Sequence, residues 1–352
     1  MGYEGRTAEL TVAQAQELLA DSVPGVQVVK TQQVAFTNDV FRTLSRSHGN
    51  YYIKFHTARW YVDLPDTACV VDRELAGHEL LARRGMALPY RMWGDCSGRV
   101  VPRAALISEH LVGEPVSSIL KRQPEATEPL VEELGRYLRR LHSIEFSHRA
   151  PLSLGLVRSA GPSGRIVVPP QPPEWDSEDR PTIRRGRGRL GGACDAGVVD
   201  TQTAQELEKL LDAAPATGSA VGPRFTLKNC HLPHFHALPA DGGWQVTGVY
   251  DFEAVSADYA GGDVMELEFN LTPVTGGFAW RHAFERGYGE VSDFPRYKVR
   301  LLNDLLYYMG EFTRAGRFGE KVPDIPWLSA RLVQLAKAQC WRELEWFPAA
   351  QA

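Results

Sequence analysis

The sequence predicts an α+β protein with two lobes, a small lobe built on a mixed β-sheet and a larger, mainly helical lobe. Strand-like runs rich in aromatic and β-branched residues are concentrated before residue 111. One helical pattern interrupts those runs, and helical patterns dominate after them. At 352 residues, the chain is long enough for two lobes that each bury a core of their own.

The composition excludes several classes of protein. The hydrophobic content of 43% and the charged content of 23% are ordinary for a globular protein. A net charge of -4 gives no reason to expect a nucleic-acid partner. Five cysteines without a CxxC spacing argue against a disulfide framework, and no apolar run reaches the length of a membrane span. The N-terminus does not resemble a signal peptide, so we expect a cytoplasmic protein that does not enter the membrane.

The small lobe is predicted over residues 1–111. A first helix over about 8–20 is followed by strands, among them "VFRTL" and "YYIKF", which the turn signal "SHGN" separates. The run "DRELAGHELLARRG" predicts a helix that ends at Gly85. Two further strands, "YRMWGD" and "AALISEHL", complete a mixed lobe that ends near Leu111.

The second lobe is predicted over residues 112–352. Its first helix, "ATEPLVEELGRYLRRLHSIEF", carries an apolar stripe along one face. Residues 151–200 are rich in glycine, proline and arginine, so we expect a flexible insertion there. The hairpin-like run "WQVTGVYDFE" follows further along, and more helices come after it.

The order of these elements resembles the aminoglycoside phosphotransferase and choline kinase family, which has a bilobal protein-kinase-like fold. The resemblance covers roughly residues 25–275 and implies that the small lobe binds ATP. "FTNDVFRT" is similar to the family's short nucleotide-binding loop, which implies phosphate contacts near Thr37 and Asn38; plain turn residues are the alternative. Lys54 of "YYIKF" stands where the family's lysine meets the α- and β-phosphates, and Glu74 where its partner orients it. A solvent-facing strand lysine is the alternative for Lys54.

The stretch "LISEHLVGEPV" is similar to the family's hinge between lobes. The resemblance implies that backbone groups around Glu109 and Leu111 hydrogen-bond the adenine. Gly113 would allow the chain to turn there.

The family's catalytic loop is altered in this chain. The family has HGD, an asparagine five residues after the aspartate, and then a hairpin that ends in aspartate, an aromatic residue and glutamate. "VYDFE" matches that ending, which makes Asp251 the implied catalytic, Mg²⁺-binding carboxylate. Counting back through the hairpin places His231 at the catalytic aspartate and His236 at the metal-binding asparagine.

These two changes have different chemical consequences. A neutral histidine, with an ordinary pKa of about 6.5, still accepts a proton from a hydroxyl group at neutral pH. An imidazole at the metal position suits Mn²⁺ or Zn²⁺ better than Mg²⁺, which makes Mn²⁺ an alternative metal. Two other interpretations of the histidines stay open: loop histidines without chemistry, and a direct metal site that includes His234.

The resemblance implies an ATP-dependent phosphotransferase that acts on a hydroxyl group. The acceptor would be an antibiotic-like small molecule or a serine or threonine of a peptide. The alternative is a pseudokinase that binds a nucleotide, or a non-catalytic partner subunit, because both loop residues differ from the family pattern.

Overall fold

The computed structural model describes residues 9–35, 38–46, 48–56, 67–86, 88, 90–161, 164–169, 179–195, 197, 199–213, 222–291, 294–315, 332–335 and 337–344. The chain divides into two compact units. The first unit comprises Met1–Val116, Pro151–Gly164 and Pro233–Val255, and the second comprises Ser117–Ala150, Arg165–Leu232 and Ser256–Ala352. None of the helices in these described ranges is long and apolar enough to cross a membrane.

The first unit contains an antiparallel five-stranded sheet with the order β1-β2-β3-β5-β4. Its strands are β1 (Val28–Ala35), β2 (Asp39–Ser45), β3 (Asn50–Phe55), β4 (Met92–Asp95) and β5 (Ala105–Glu109). The predicted hairpin is present as β2 and β3, in which Val40 lies opposite Lys54.

The alternation of β3 places Lys54 on the face opposite the apolar core. Tyr51, Ile53 and Phe55 are buried, and they pack with residues of α1 (Val12–Ala20). Lys54, which lies between Ile53 and Phe55, therefore points to the other face of the sheet. The helix α2 (Thr67–Arg83) carries Glu74, which is buried.

A second, three-stranded sheet completes the first unit, with the order β10-β9-β6. It is formed by β6 (Glu114–Pro115), β9 (Phe235–Ala240) and β10 (Gly243–Val249), and the short helix α5 (Leu154–Ser159) lies in the same unit. The hairpin of β9 and β10 belongs to the first unit because β9 pairs with β6, where Pro115 lies opposite His236.

The second unit is mainly helical. Its helices are α3 (Val116–Arg122, whose first residue belongs to the first unit), α4 (Thr127–Leu141), α6 (Asp179–Asp195), α7 (Thr201–Ala213), α8 (Gly261–Thr275), α9 (Trp280–Tyr288) and α10 (Phe294–Ala315). The antiparallel strands β8 (Arg224–Thr226) and β11 (Ser256–Asp258) belong to it, and β7 (Ala150–Pro151) lies at the unit boundary. The predicted apolar stripe of α4 is buried.

Two features of this architecture differ from the expected organisation. The segment 151–200, which we expected to be a flexible insertion, contains α5 and α6. Gly186 and Leu190 of α6 are buried, and a Cβ atom at Gly186 would lie 3.2 Å from the Leu211 side chain. Tertiary packing thus supports a helix that intrinsic propensity disfavours. The first unit also extends beyond the expected 1–111, because it includes the hairpin over 233–255.

Candidate active site

Lys54 is the centre of a group of carboxylates in the first unit. Its Nζ atom lies 2.7 Å from Glu74 Oε1, 2.9 Å from Glu253 Oε2 and in direct contact with Asp251 Oδ1. The second oxygen of Glu74 accepts a hydrogen bond of 2.8 Å from the backbone N–H of Phe252. The structure therefore brings together Lys54, Glu74 and Asp251, which are far apart in the sequence.

The charges of this group do not balance. Burial alone would lower the pKa of Lys54, but Asp251, Glu74 and Glu253 surround the ammonium and hold its pKa well above the ordinary value. Lys54 therefore carries a fixed positive charge at neutral pH. When all four side chains are ionised, one ammonium faces three carboxylates and the group has an excess of two negative charges.

Asp251 adopts an uncommon backbone conformation. Its φ angle is +71°, in the left-handed region that non-glycine residues seldom occupy. Such a conformation costs about 1–3 kcal/mol and persists where surrounding contacts fix it. The contacts on either side of Asp251 include the hydrogen bond of Phe252 to Glu74 and that of Tyr250 N–H to His234 O.

The predicted phosphate-loop residues are only partly described. Asn38 is buried, and its Nδ2 atom donates a hydrogen bond of 2.8 Å to Glu253 Oε2. Asn38 therefore contacts the carboxylate group around Lys54. Thr37 lies outside the described residues.

His234, rather than His236, lies beside Asp251. Its Nε2 atom is 3.5 Å from Asp251 Oδ2. The ring of His236 packs instead against His110 and Tyr250, with ring centroids 6.2 Å and 5.7 Å apart. Burial lowers the pKa of His236, and His110 lowers it further, so its ring is neutral at pH 7. The metal role of His236 stays a prediction, and the observed contacts favour His234 as the imidazole near Asp251.

The predicted hinge residues lie next to His236. The backbone of Leu111 and Gly113 acts on the His236 ring and partly offsets the lowering of its pKa by burial. Gly113 has a φ angle of +101°, and a Cβ atom there would come within 2.6 Å of Ala237 O, so a glycine is required. The Glu109 N–H donates a hydrogen bond of 2.9 Å to Arg91 O, and its carboxylate forms an ion pair with Arg91. The adenine contact assigned to Glu109 and Leu111 stays a prediction.

His231 belongs to the second unit, where helix α8 holds it. Its Nε2 atom lies 3.3 Å from Glu266 Oε1, and its Nδ1 atom lies 3.2 Å from Asn270 Nδ2. The side chain is 43% exposed, so the ring is accessible to solvent. The neighbouring Cys230 is fully buried, and burial raises the pKa of its thiol well above the ordinary value. Cys230 is therefore an uncharged core residue.

Asp263 anchors the start of the same loop. Its two carboxylate oxygens accept hydrogen bonds from the backbone N–H groups of Leu227 and Lys228, at 2.7 Å and 2.9 Å. His142 Nε2 lies 3.2 Å from the same carboxylate. Asp263 is buried, so its contacts are structural: they fix the backbone that leads to His231.

Glu253 and His56 were not among the predicted site residues. The "VYDFE" motif ends at Glu253, two residues after Asp251, so the motif could have indicated Glu253 as a further site residue. His56 is buried between Glu74 and Glu253, 3.5 Å from each carboxylate. Neither ring nitrogen of His56 forms a hydrogen bond within the described part of the chain. In the sequence it appears only as a histidine two residues after Lys54.

A metal ion fits the carboxylates of this group better than it fits the imidazole of His56. His56, Glu74 and Glu253 bring three potential ligand atoms within 4.8 Å of one another. However, Lys54 Nζ contacts the same two carboxylate oxygens, so its ammonium takes the place of an ion there. Asp251 and Glu253 supply the hard oxygen ligands that Mg²⁺ prefers. Lys54 Nζ contacts both carboxylates, so a metal ion held there would share them with the ammonium.

Several solved structures have the same fold as this chain. A Ralstonia eutropha JMP134 protein, classed provisionally as an aminoglycoside phosphotransferase, has a TM-score of 0.57 at 13% identity, over 96% of this chain and 98% of that one. The GDP and kanamycin complex of APH(2'')-IIIa has a TM-score of 0.55 at 13% identity, over 92% and 96%. A macrolide 2'-phosphotransferase from Brachybacterium faecium has a TM-score of 0.50 at 14% identity, over 93% and 97%. These similarities confirm the predicted α+β, protein-kinase-like fold.

The sequence itself identifies the family. Among proteins with curated descriptions, none is significantly similar to this chain. The sequence pattern of the phosphotransferase enzyme family, however, matches residues 32–300, which is most of the chain. That range includes both the carboxylate group around Lys54 and the loop of His231. The chain is therefore a member of the phosphotransferase enzyme family.

Proposed function

We propose that this protein is an ATP-dependent phosphotransferase that transfers the γ-phosphoryl group to a hydroxyl group of its acceptor. The observation that carries the proposal is the contact of Lys54 with both Glu74 and Asp251. A buried lysine with a fixed charge suits the α- and β-phosphates, and a carboxylate beside it suits the metal ion that accompanies them. The similar APH(2'')-IIIa structure is a complex with GDP, which supports binding of a nucleotide.

Each residue has a stated role in this proposal. Asp251 and Glu253 would hold Mg²⁺, which would neutralise charge on the transferred phosphoryl group when it is bound. Lys54 would hold the α- and β-phosphates, and Glu74 would keep Lys54 in place. His231 would accept the proton of the acceptor hydroxyl, as the aspartate does elsewhere in the family. General-base assistance of this kind contributes about 10²–10⁴ in rate.

The acceptor class is an antibiotic-like small molecule or a peptide serine or threonine. The similar proteins include one bound to kanamycin and one named for a macrolide, which supports a small-molecule acceptor. The first assay should test both kinds of acceptor.

The test is phosphoryl transfer from ATP with Mg²⁺ or Mn²⁺, followed by mass spectrometry of panels of hydroxylated antibiotics and serine- or threonine-containing peptides. We expect one acceptor class to gain a phosphoryl group. We also expect His231→Ala to lower kcat by about 10²–10⁴. His282→Ala, a substitution at an exposed histidine of α9, is the matched control and should keep full turnover.

The second candidate is a protein that binds nucleotide and transfers nothing. It is favoured by one observation, that contacts to Glu266 and Asn270 engage both ring nitrogens of His231. A thermal shift with ATP, or with GTP as the comparison nucleotide, together with the absence of transfer to every acceptor, would support it. The absence of any shift with nucleotide and metal would contradict both candidates.

A further inference from the structure

Helix α8 presents two carboxylates, one turn apart, to the loop of His231. Asp263 is buried and holds the backbone N–H groups of Leu227 and Lys228. Glu266 is different: its side chain is 26% exposed and faces the His231 ring. Its Oε2 atom accepts a hydrogen bond of 2.7 Å from the Cys230 N–H, and its Oε1 atom lies 3.3 Å from His231 Nε2. One carboxylate therefore holds both the backbone before His231 and the imidazole itself.

The second contact of His231 determines which ring nitrogen carries the proton. Asn270 Nδ2 lies 3.2 Å from His231 Nδ1, and the same amide nitrogen donates a hydrogen bond of 2.8 Å to Glu266 O. An amide nitrogen donates and does not accept, so Nδ1 of the neutral imidazole is the acceptor. The ring proton then lies on Nε2, which points to the Glu266 carboxylate.

A carboxylate at one nitrogen is the arrangement that orients an imidazole base. The other nitrogen can accept a proton once the Asn270 amide no longer occupies it. We propose that Glu266 is a positioning residue that orients His231 and stabilises its charged form, and that the acceptor hydroxyl takes the place of the Asn270 amide at Nδ1. The proposal rests on the function proposed above. The proposal explains how a histidine can replace the usual aspartate. The base itself is then a neutral imidazole, and Glu266 on helix α8 supplies the negative charge.

The proposed step transfers one proton and one phosphoryl group. The acceptor hydroxyl gives its proton to His231 Nδ1 as its oxygen forms a bond to the γ-phosphorus of ATP. The bond between that phosphorus and the bridging oxygen breaks, and ADP leaves with the electron pair. The imidazolium that forms lies beside the negative charge of Glu266, which favours it. It returns the proton to solvent after the products leave.

The kinetic test compares Glu266→Gln with Glu266→Asp in the full-length protein. The glutamine still accepts the Cys230 hydrogen bond but lacks the charge, so we expect kcat to fall about 10–100-fold while KM for ATP and for the acceptor changes little. The shorter aspartate keeps the charge and should recover part of kcat. The double variant with His231→Ala should be no slower than His231→Ala alone, because the two residues act as a unit. Glu206→Gln, at an exposed glutamate of α7, is the matched control.

A second measurement does not need turnover. Nitrogen-15 NMR of the His231 ring should show the proton on Nε2 in the wild type, and Glu266→Gln should weaken that preference. A proton on Nδ1 in the wild type overturns the proposal, whether or not the protein is active. Full kcat in Glu266→Gln beside an inactive His231→Ala also overturns it but leaves the proposed function intact. Full kcat in His231→Ala contradicts the base assignment of the proposed function itself.

Discussion

At the scale of single residues, the environment of Lys54 distinguishes it from other strand lysines. Its side chain is 14% exposed and is surrounded by Glu74, Asp251 and Glu253. Lys30 on β1 is exposed. Removal of the Lys54 charge would leave three carboxylates together without a balancing ammonium, which costs more than the loss of the ion pairs alone.

We therefore predict that Lys54→Met lowers both nucleotide affinity and thermal stability. Loss of a charge-assisted contact to phosphate should raise the Kd for ATP by about tenfold or more. Isothermal titration calorimetry and thermal unfolding check the two effects. Lys30→Met is the matched control, and an equal effect of both substitutions would show that the buried carboxylates are not the reason.

At the scale of elements, helices α4 and α9 pack closely at two glycines. A Cβ atom at Gly135 would lie 2.6 Å from Phe284 O, and one at Gly287 would lie 2.0 Å from Glu132 O. Neither contact is possible for a real side chain, so the helices must separate if either glycine is replaced.

We predict that Gly287→Ala destabilises the protein by about 1–3 kcal/mol, the usual cost of inserting atoms into a packed interface. Chemical denaturation measures the free energy of unfolding. Gly188→Ala in α6 is the control, because nothing lies within 4 Å of a Cβ atom there and alanine favours a helix. A Gly287→Ala protein as stable as the wild type would contradict the observed distance between the helices.

At the scale of the whole molecule, the half-buried His78 and the buried His236 limit stability in acid. Burial lowers the pKa of both residues from 6.5 in the folded protein. Below that value the unfolded chain binds more protons than the folded one at these positions. The stability of the folded state that depends on these neutral rings is therefore fully present above pH 6.5, and it is lost as the pH falls below that value.

We predict that the unfolding temperature falls between about pH 7.5 and pH 5.5, and that His78→Gln reduces this fall. The glutamine amide can keep a hydrogen bond to Tyr90 O, which His78 Nε2 makes at 2.9 Å, but it does not titrate. Thermal unfolding at the two pH values measures the effect. His282→Gln, at an exposed histidine, is the control, and an unchanged pH dependence in His78→Gln would refute the assignment.

Local sequence patterns were sufficient to predict the α+β class, the family and the likeness of Lys54, Glu74 and Asp251 to the family's positions. These features depend on local patterns: strand alternation around Lys54, helical spacing around Glu74, and the turn that "VYDFE" marks. The side chains that surround these residues could be identified only from the folded chain. Glu253 beside Asn38, His56 between two carboxylates and His234 beside Asp251 all depend on contacts between distant segments. The same holds for the pairing of His231 with Glu266, because a histidine's role depends on what faces each ring nitrogen, and spacing along the chain does not specify that.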